Sequence, residues 1–463
     1  MRKALAYLST WLDSSHRKPV VIRGARQVGK TWMVRQLAQI TGKQLIELNF
    51  EKRLAWRDLF TSNDPKEIII NLESELNITI DPENSLLFLD EIQAAPELLS
   101  KLRWFFEDMP GLPVVAAGSL LEFTLAEHSF SMPVGRISYL HVEPFSFEEF
   151  LVAQGYLKLH EFLLSWQWDK PIPATIHAKL MGYMKEYMMV GGMPEAVVSW
   201  QEQRSLEVIS QIHHALLATY RDDFSKYPGR ISQERLDEIL MTVPKLLGEK
   251  FMFSRANKQV SSESLKKALQ LLCMARVCHK VFATHGNGVP LGADIKDKFI
   301  KAIFLDVGLV SSLLDIKLHQ IKQWDDLTLV NKGGLSEQVV GQLLKTLEPG
   351  YKEPHLYYWL REQKGSSAEI DYLLQHEGRI IPIEVKSGST GSLKSLHYFM
   401  HLKGLTQAVR INADRPSSVV VHAKIHSGEA VQYQLLSIPF YLIGQLHRLL
   451  DNIDSSAKNI LKV

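Results

Sequence analysis

Cysteine is scarce in this chain: two among 463 residues, Cys273 and Cys278. That excludes a disulfide framework and suits a reducing compartment. With His279 they supply only three candidate zinc ligands, and "LQLLCMARVCHKV" has the pattern of a core helix, so buried structural thiols are expected. Long apolar runs are missing too. No stretch reaches the roughly 18 residues needed to span a bilayer. The opening "MRKALAYLSTWLDSSH" has basic residues but neither the apolar run nor the cleavage site of a signal peptide. A cytoplasmic protein with no membrane partner is expected. Charge of one sign is not in excess either. Lys and Arg number 53 against 51 Asp and Glu, a net +2, so any surface for nucleic acid must be local. What remains is 46% apolar and 22% charged, the balance of a soluble globular chain, long enough for about three domains.

The most specific motif lies early. "KPVVIRGARQVGKTWMVRQLAQITG" contains Gly24-x-x-x-x-Gly29-Lys30-Thr31. Val20 to Ile22 precede it as a short apolar run of strand type. Trp32, Val34, Leu37 and Ile40 follow at near-helical spacing until Gly42. Strand, glycine loop and helix are the setting a phosphate loop needs. Its glycines let backbone N–H groups curl round the β- and γ-phosphates at the helix N-terminus. Lys30 neutralises them, and the Thr31 hydroxyl reaches Mg²⁺. Downstream, "SLLFLDEIQ" is a buried parallel strand, Leu86 to Leu89, ending in Asp90 and Glu91. Active groups of open α/β sheets lie at the carboxyl ends of strands. There Asp90 would hold Mg²⁺ through water, and Glu91 would deprotonate the attacking water. A third strand, "LPVVAAGS", ends in Gly118 and Ser119, and Gly135-Arg136 opens a fourth, "RISYLHV".

"GARQVGKT", "LLFLDEIQ", "AAGSLLEF", "VGRISYLHVEPFSFEEFL" and "GGMPEAV" follow one another as in a large prokaryotic family. The chain resembles its AAA-type P-loop ATPases, similar to the signalling (STAND-like) branch, fused to a C-terminal domain of unknown function. The resemblance runs from about Lys3 to beyond Gly388. It implies an α/β fold in four parts: a parallel-sheet ATPase core over 1–155, a helical lid over 156–227, a winged helix over 228–325 and a restriction-endonuclease-like domain over 326–463. It further implies that Ser119 senses the γ-phosphate and that Pro194 packs on the adenine ring. Pro194 also reads as an ordinary first residue of a helix. For Arg136, contact with a γ-phosphate and a plain surface position both stay open. ATP with Mg²⁺ is the implied cofactor set, and a homo-oligomer one implied assembly.

The middle offers less. Residues 156–227 show helical spacing, with methionines as core filler. "RLDEILMTVPKLLGEKFMFS", "SSESLKKALQLLCMARV", "HKVFATHGNG" and "KAIFLDVGLV" have the order of a winged helix, the second segment capped by Ser261 or Ser262. Arg255, Lys258, Lys266, Lys267 and Lys280 give it local positive charge. DNA or another nucleic acid is therefore a candidate partner. Packing against protein is the other reading.

In the last third, "EIDYLLQHEGRIIPIEVKSG" reads as a hairpin with a two-residue turn at Glu377-Gly378. That register sets Asp371 opposite Glu384, a like-charge pair that destabilises a sheet unless a cation neutralises it. In "GGLSEQVVGQLLKTL", Glu337 shares a stripe with Val340 and Leu344, a costly place for an unpartnered charge. Glu337, Asp371, Glu384 and Lys386 together resemble the set of PD-(D/E)xK nucleases, with Ser387 and Gly388 following. By that resemblance the three carboxylates bind a second Mg²⁺ or Mn²⁺, and Lys386 orients the water and stabilises phosphate charge. Cleavage, metal binding alone, and a fold kept only for binding a partner are the open outcomes.

Overall fold

Apolar runs too short for helices form the first sheet. In the computed structural model these are β1 (Val20–Arg23), β2 (Gln44–Asn49), β3 (Ser85–Asp90), β4 (Val114–Ala117) and β5 (Ser138–His141). All pairings are parallel, in the order β2-β3-β4-β1-β5. β3 is buried along its whole length, as a strand covered on both faces must be. The connecting helices are α1 (Lys3–Leu12), α2 (Lys30–Thr41), α3 (Pro65–Leu76) and α4 (Leu102–Asp108). Each has a local reason to start or stop. Gly42 ends α2 in the left-handed conformation at φ 68°. Asp64 caps α3, its carboxylate accepting from the Lys66 amide at 2.9 Å, with Pro65 at the first helical position. One core joins Val21, Leu87, Leu89 and Ala116 to Ile68 and Leu72.

The structure describes residues 2–123, 133–225, 231–316, 333–363, 366–386 and 393–460. Ser387, Gly388 and the expected boundaries near 228 and 326 lie outside them. Two compact units result. The first is Met1–Glu143 with Met274–Arg276 and Glu348–Glu353; the second is Pro144–Cys273, Val277–Leu347 and Pro354–Val463.

The second unit begins with helices: α5 (Phe147–Ala153), α6 (Leu157–Ser165), α7 (Ala174–Val190), α8 (Pro194–Gln203), α9 (Leu206–Ser225), α10 (Gln233–Thr242) and α11 (Ser262–Met274). The helical stretch expected from 156 is there, and the Ser261 hydroxyl accepts from the Ser264 amide at the start of α11. β6 (Cys278–Thr284) and β7 (Ile295–Phe304) follow as an antiparallel ribbon, then α12 (Val307–Leu313) and α13 (Gly334–Lys345). The last third supplies β8 (Leu356–Gln363), β9 (Ser366–His376), β10 (Arg379–Val385), α14 (Lys394–Lys403), β11 (Gln407–Asn412), β12 (Ser417–Lys424), β13 (Ala430–Pro439) and α15 (Leu446–Ile460).

The ribbon expected as the wing of a winged helix joins a larger sheet. β6 pairs in parallel with β8, so the ribbon is one end of a mixed eight-stranded sheet, β12-β13-β11-β10-β9-β8-β6-β7. Part of "KAIFLDVGLV" is also helical, because the Asp306 carboxylate caps α12 by accepting from the Gly308 and Leu309 amides. Edge strand β7 is closed by side chains of α13. Gln338 bonds both the N–H and the C=O of Phe304, and Gln342 accepts from the Val307 amide. The four-part division therefore stands as a proposal about how the second unit is subdivided. Cys278 is fully buried, and burial pushes its thiol well up, as expected for a structural cysteine. Among the described residues no helix is long and apolar enough to cross a membrane.

Candidate functional site

The carboxyl ends of β2, β3 and β4 lie level in the first sheet, where Asn49, Asp90 and Ala117 face one another in register. The glycine loop leaves β1 at the same edge. Gly24 has no room for a side chain, since an added Cβ would sit 2.5 Å from the Val142 carbonyl oxygen. Gly29 takes φ 91°, a left-handed conformation, and no side chain caps the first turn of α2. The first amides of a helix have no intrahelical partner, which is what a phosphate site uses. Lys30 folds back over the loop, donating to the Gly24 and Ala25 carbonyls at 3.1 and 2.8 Å. Burial lowers its pKa to about 8, partly offset by Glu91.

The Thr31 hydroxyl meets both Asp90 oxygens at 3.3 Å, and the Asn49 amide donates to Asp90 at 3.1 Å. Burial, and then the charge of Glu91, raise Asp90 to about 6. A buried carboxylate facing a hydroxyl suits a hard cation, because both are oxygen donors. Glu91 turns the chain at φ 52° and accepts from Gln93 Nε2 at 2.6 Å. Gln93 abuts Gly118, where any Cβ would strike its amide oxygen. Just beyond, Ser119 is buried and its hydroxyl has no hydrogen-bond partner among the described residues. Gly24, Gly29, Lys30, Thr31, Asp90, Glu91 and Ser119 thus cluster at one sheet edge.

Arg136 and Pro194 each have two readings. Arg136 sits in a turn before β5 and donates to Glu107 at 3.0 Å, on the surface beside α4. Pro194 lies in the second unit as the first residue of α8, the ordinary position of a helix-starting proline.

In the second unit the hairpin register is as expected. His376 pairs with Arg379 across Glu377 and Gly378, at φ 44° and 75°. Continued one step past Tyr372 and Ile383, it sets Asp371 against Glu384. Asp371 accepts from the Val385 amide at 2.7 Å, and Lys386 donates to Glu384 at 2.6 Å. Burial first and Asp371 second push the Glu384 carboxyl well up, and its Oε2 is buried without a hydrogen-bond partner. Glu337 comes to the same place, its carboxyl also raised by burial. Yet Glu337, Asp371 and Glu384 do not form a trio whose ligand atoms all lie within 4.8 Å. A residue the sequence did not disclose joins them. Lys301 of β7, 3% exposed, is ion-paired to Glu337 at 2.9 Å and to Glu369 as well. Alternation in β9 put Glu369 beside Asp371, but no local pattern marks Lys301. All ionised, the four carboxylates and two lysines leave −4 + 2 = −2.

Three family models match parts of the chain. Residues 16–151 match an AAA domain; 181–320 and 332–441 match two domains of unknown function, DUF8612 and DUF4143. No curated protein matches. Solved structures to which the chain is similar include PCH-2 of C. elegans, 12% identical, with 44% of this chain and 63% of that one covered at a TM-score of 0.27. The Thermotoga maritima RuvB Holliday junction branch migration motor is 15% identical, covering 59% and 87%, at 0.29. A Pyrococcus horikoshii STAND protein with a tetratricopeptide repeat sensor is 11% identical, covering 74% and 47%, at 0.26. The chain spans less than two thirds of the first and third of these. The parallel sheet and phosphate loop lie within the segment 16–151 that matches the AAA domain.

Proposed function

We propose that this protein binds and hydrolyses ATP with Mg²⁺ in its first unit, and that nucleotide state controls its C-terminal module. The observation that carries the reading is the meeting of Thr31 and Asp90 at 3.3 Å beside the buried Lys30. Lys30 exchanges its two loop carbonyls for phosphate oxygens. Thr31 and Asp90 hold the cation, and Ser119 offers its unpartnered hydroxyl to the nucleotide. Glu91 takes the proton of the attacking water once it is released from Gln93. The chemistry that Mg²⁺ supplies when bound is neutralisation of phosphate charge. Equilibrium binding of ATP by wild type, Lys30→Ala and Thr31→Val, with and without Mg²⁺, tests this. The proposal expects both variants to bind weakly, and Thr31→Val to have lost the Mg²⁺ dependence. Equal affinity in all three proteins sinks it.

Lys301 favours one reading of the C-terminal module over another. The unpartnered Glu384 Oε2 and the residual charge of −2 suit one Mg²⁺ or Mn²⁺ beside Asp371 and Glu384, where it would supply Lewis acidity. Glu337 is already engaged by Lys301. A switch module that recognises a partner, DNA among the candidates, fits this occupied cluster better than a nuclease. Wild type and Glu384→Ala/Lys386→Ala should then be equally inert on single- and double-stranded DNA with Mn²⁺. Cleavage by wild type alone would overturn the preference. The switch reading also expects the oligomeric state or partner binding to differ between ADP and a non-hydrolysable ATP analogue.

A further inference from the structure

At the far end of the β9–β10 hairpin from Asp371, four side chains of metal-ligand type come together. His376 ends β9 and Glu377 begins the turn, while His447 and Asp451 stand four residues apart, on one face of α15. Ligand atoms of His376, Glu377 and Asp451 all lie within 4.8 Å of one another. His376 is only 5% exposed. Its Nδ1 is 2.9 Å from Nδ1 of His447, and the two rings stack at 5.1 Å. Its Nε2 lies 3.0 Å from Asp451 Oδ1, an ion-pair contact, but has no aligned hydrogen-bond partner among the described residues.

The proton inventory of His376 narrows what this means. An Nδ1–Nδ1 contact at 2.9 Å needs one N–H and one lone pair. If His447 donates, neutral His376 carries its proton on Nε2 and should donate it to Asp451. If His376 is doubly protonated, the same bond to Asp451 should form. In both, that proton meets no aligned acceptor among the described residues. If His376 donates through Nδ1, its Nε2 lone pair stays available to a cation shared with the adjacent Asp451 carboxylate.

We propose that His376 Nε2, Glu377 and Asp451 bind a first-row divalent transition metal of the Zn²⁺ class. His447 is a positioning residue that accepts from His376 Nδ1–H and so fixes the metal-binding tautomer. One imidazole and two carboxylates form a donor set for such an ion, and its charge cancels both carboxylates. Glu377 and Asp451 are 63% and 48% exposed, which leaves a route for entry. The competing partner of Glu377 is Arg379, at 3.8 Å. Five residues of extended strand, roughly 16 Å, separate His376 from Asp371, so this is not the carboxylate cluster. Nor does it depend on the ATPase reading. A metal here ties α15 to the hairpin, and its binding energy adds to the stability of the second unit.

The test is Zn²⁺ titration of the full-length, chelator-stripped protein in excess Mg²⁺, read by competition with a chromogenic chelator and by the unfolding temperature. Because His376 is buried, the informative variants change the exposed ligands, as Glu377→Gln/Asp451→Asn. Wild type should take up one equivalent that raises its unfolding temperature. The double variant should bind at least about 100-fold more weakly, and His447→Gln about 10- to 100-fold. Glu384→Gln should keep the site intact. The proposal is overturned if wild type takes up no Zn²⁺, if the double variant binds like wild type, or if Glu384→Gln rather than the double variant abolishes uptake.

Discussion

Replacing Lys301 by Met isolates the interaction that most shapes the C-terminal cluster. Its ammonium is 3% exposed and holds Glu337, 17% exposed, and Glu369, 32% exposed. Without it, two carboxylates are left in low dielectric with no counter-charge. Breaking a buried ion pair by removing one partner costs roughly 3–5 kcal/mol. Glu369 reaches water over about a third of its surface, so the lower end, about 3 kcal/mol, applies. Denaturant unfolding of Lys301→Met, followed by tryptophan fluorescence, measures the loss directly. Met keeps the volume, so little of the cost comes from a cavity. Lys301→Met/Glu337→Gln removes the more buried of the orphaned charges and should recover at least half the loss. A single variant within about 1 kcal/mol of wild type, or a double variant no better than the single, would refute the reasoning.

Three other outcomes follow from the same kind of argument. Gly191→Ala should cost at least about 2 kcal/mol: φ is 74°, and the new Cβ overlaps the Asp306 carboxylate that accepts from the Gly192 amide. Denaturant midpoints measure that loss. Burial lowers the His213 imidazole from 6.5 to about 4, so the unfolded chain binds more protons between those values. Stability from this group is complete above pH 6.5 and is lost as pH falls towards 4, by up to about 3 kcal/mol, and His213→Gln should flatten the pH dependence of unfolding in that window. Arg136→Ala removes an exposed pair with Glu107 and should change ATP hydrolysis less than about two-fold and stability less than about 1 kcal/mol. A large loss of turnover would instead mark Arg136 as a phosphate contact.

What could be read from the residues alone was what local sequence dictates. The phosphate loop, the Asp90–Glu91 strand end and the hairpin register are short-range features, set by glycine conformations, apolar runs and a two-residue turn. The mixed sheet was not legible, because a ribbon over 278–304 looks the same whether it stands alone or pairs with β8. Lys301 and Glu369 are far apart in the chain, and a lysine in an amphipathic strand gives no sign of being buried. The His376 group was hidden for the same reason, since His447 and Asp451 follow it by about seventy residues. Pro194 starts its helix, as a proline after a glycine turn can, and that position is compatible with either reading of the motif.

The central claim is that Glu91 is the base of an ATP-hydrolysing site. Turnover and ATP affinity of Glu91→Gln, measured side by side with wild type, test it most directly. The amide keeps the shape and the contact with Gln93 but cannot take a proton. ATP affinity should stay within a few-fold of wild type, while turnover falls by at least about 100-fold. Hydrolysis by Glu91→Gln at the wild-type rate would contradict the account.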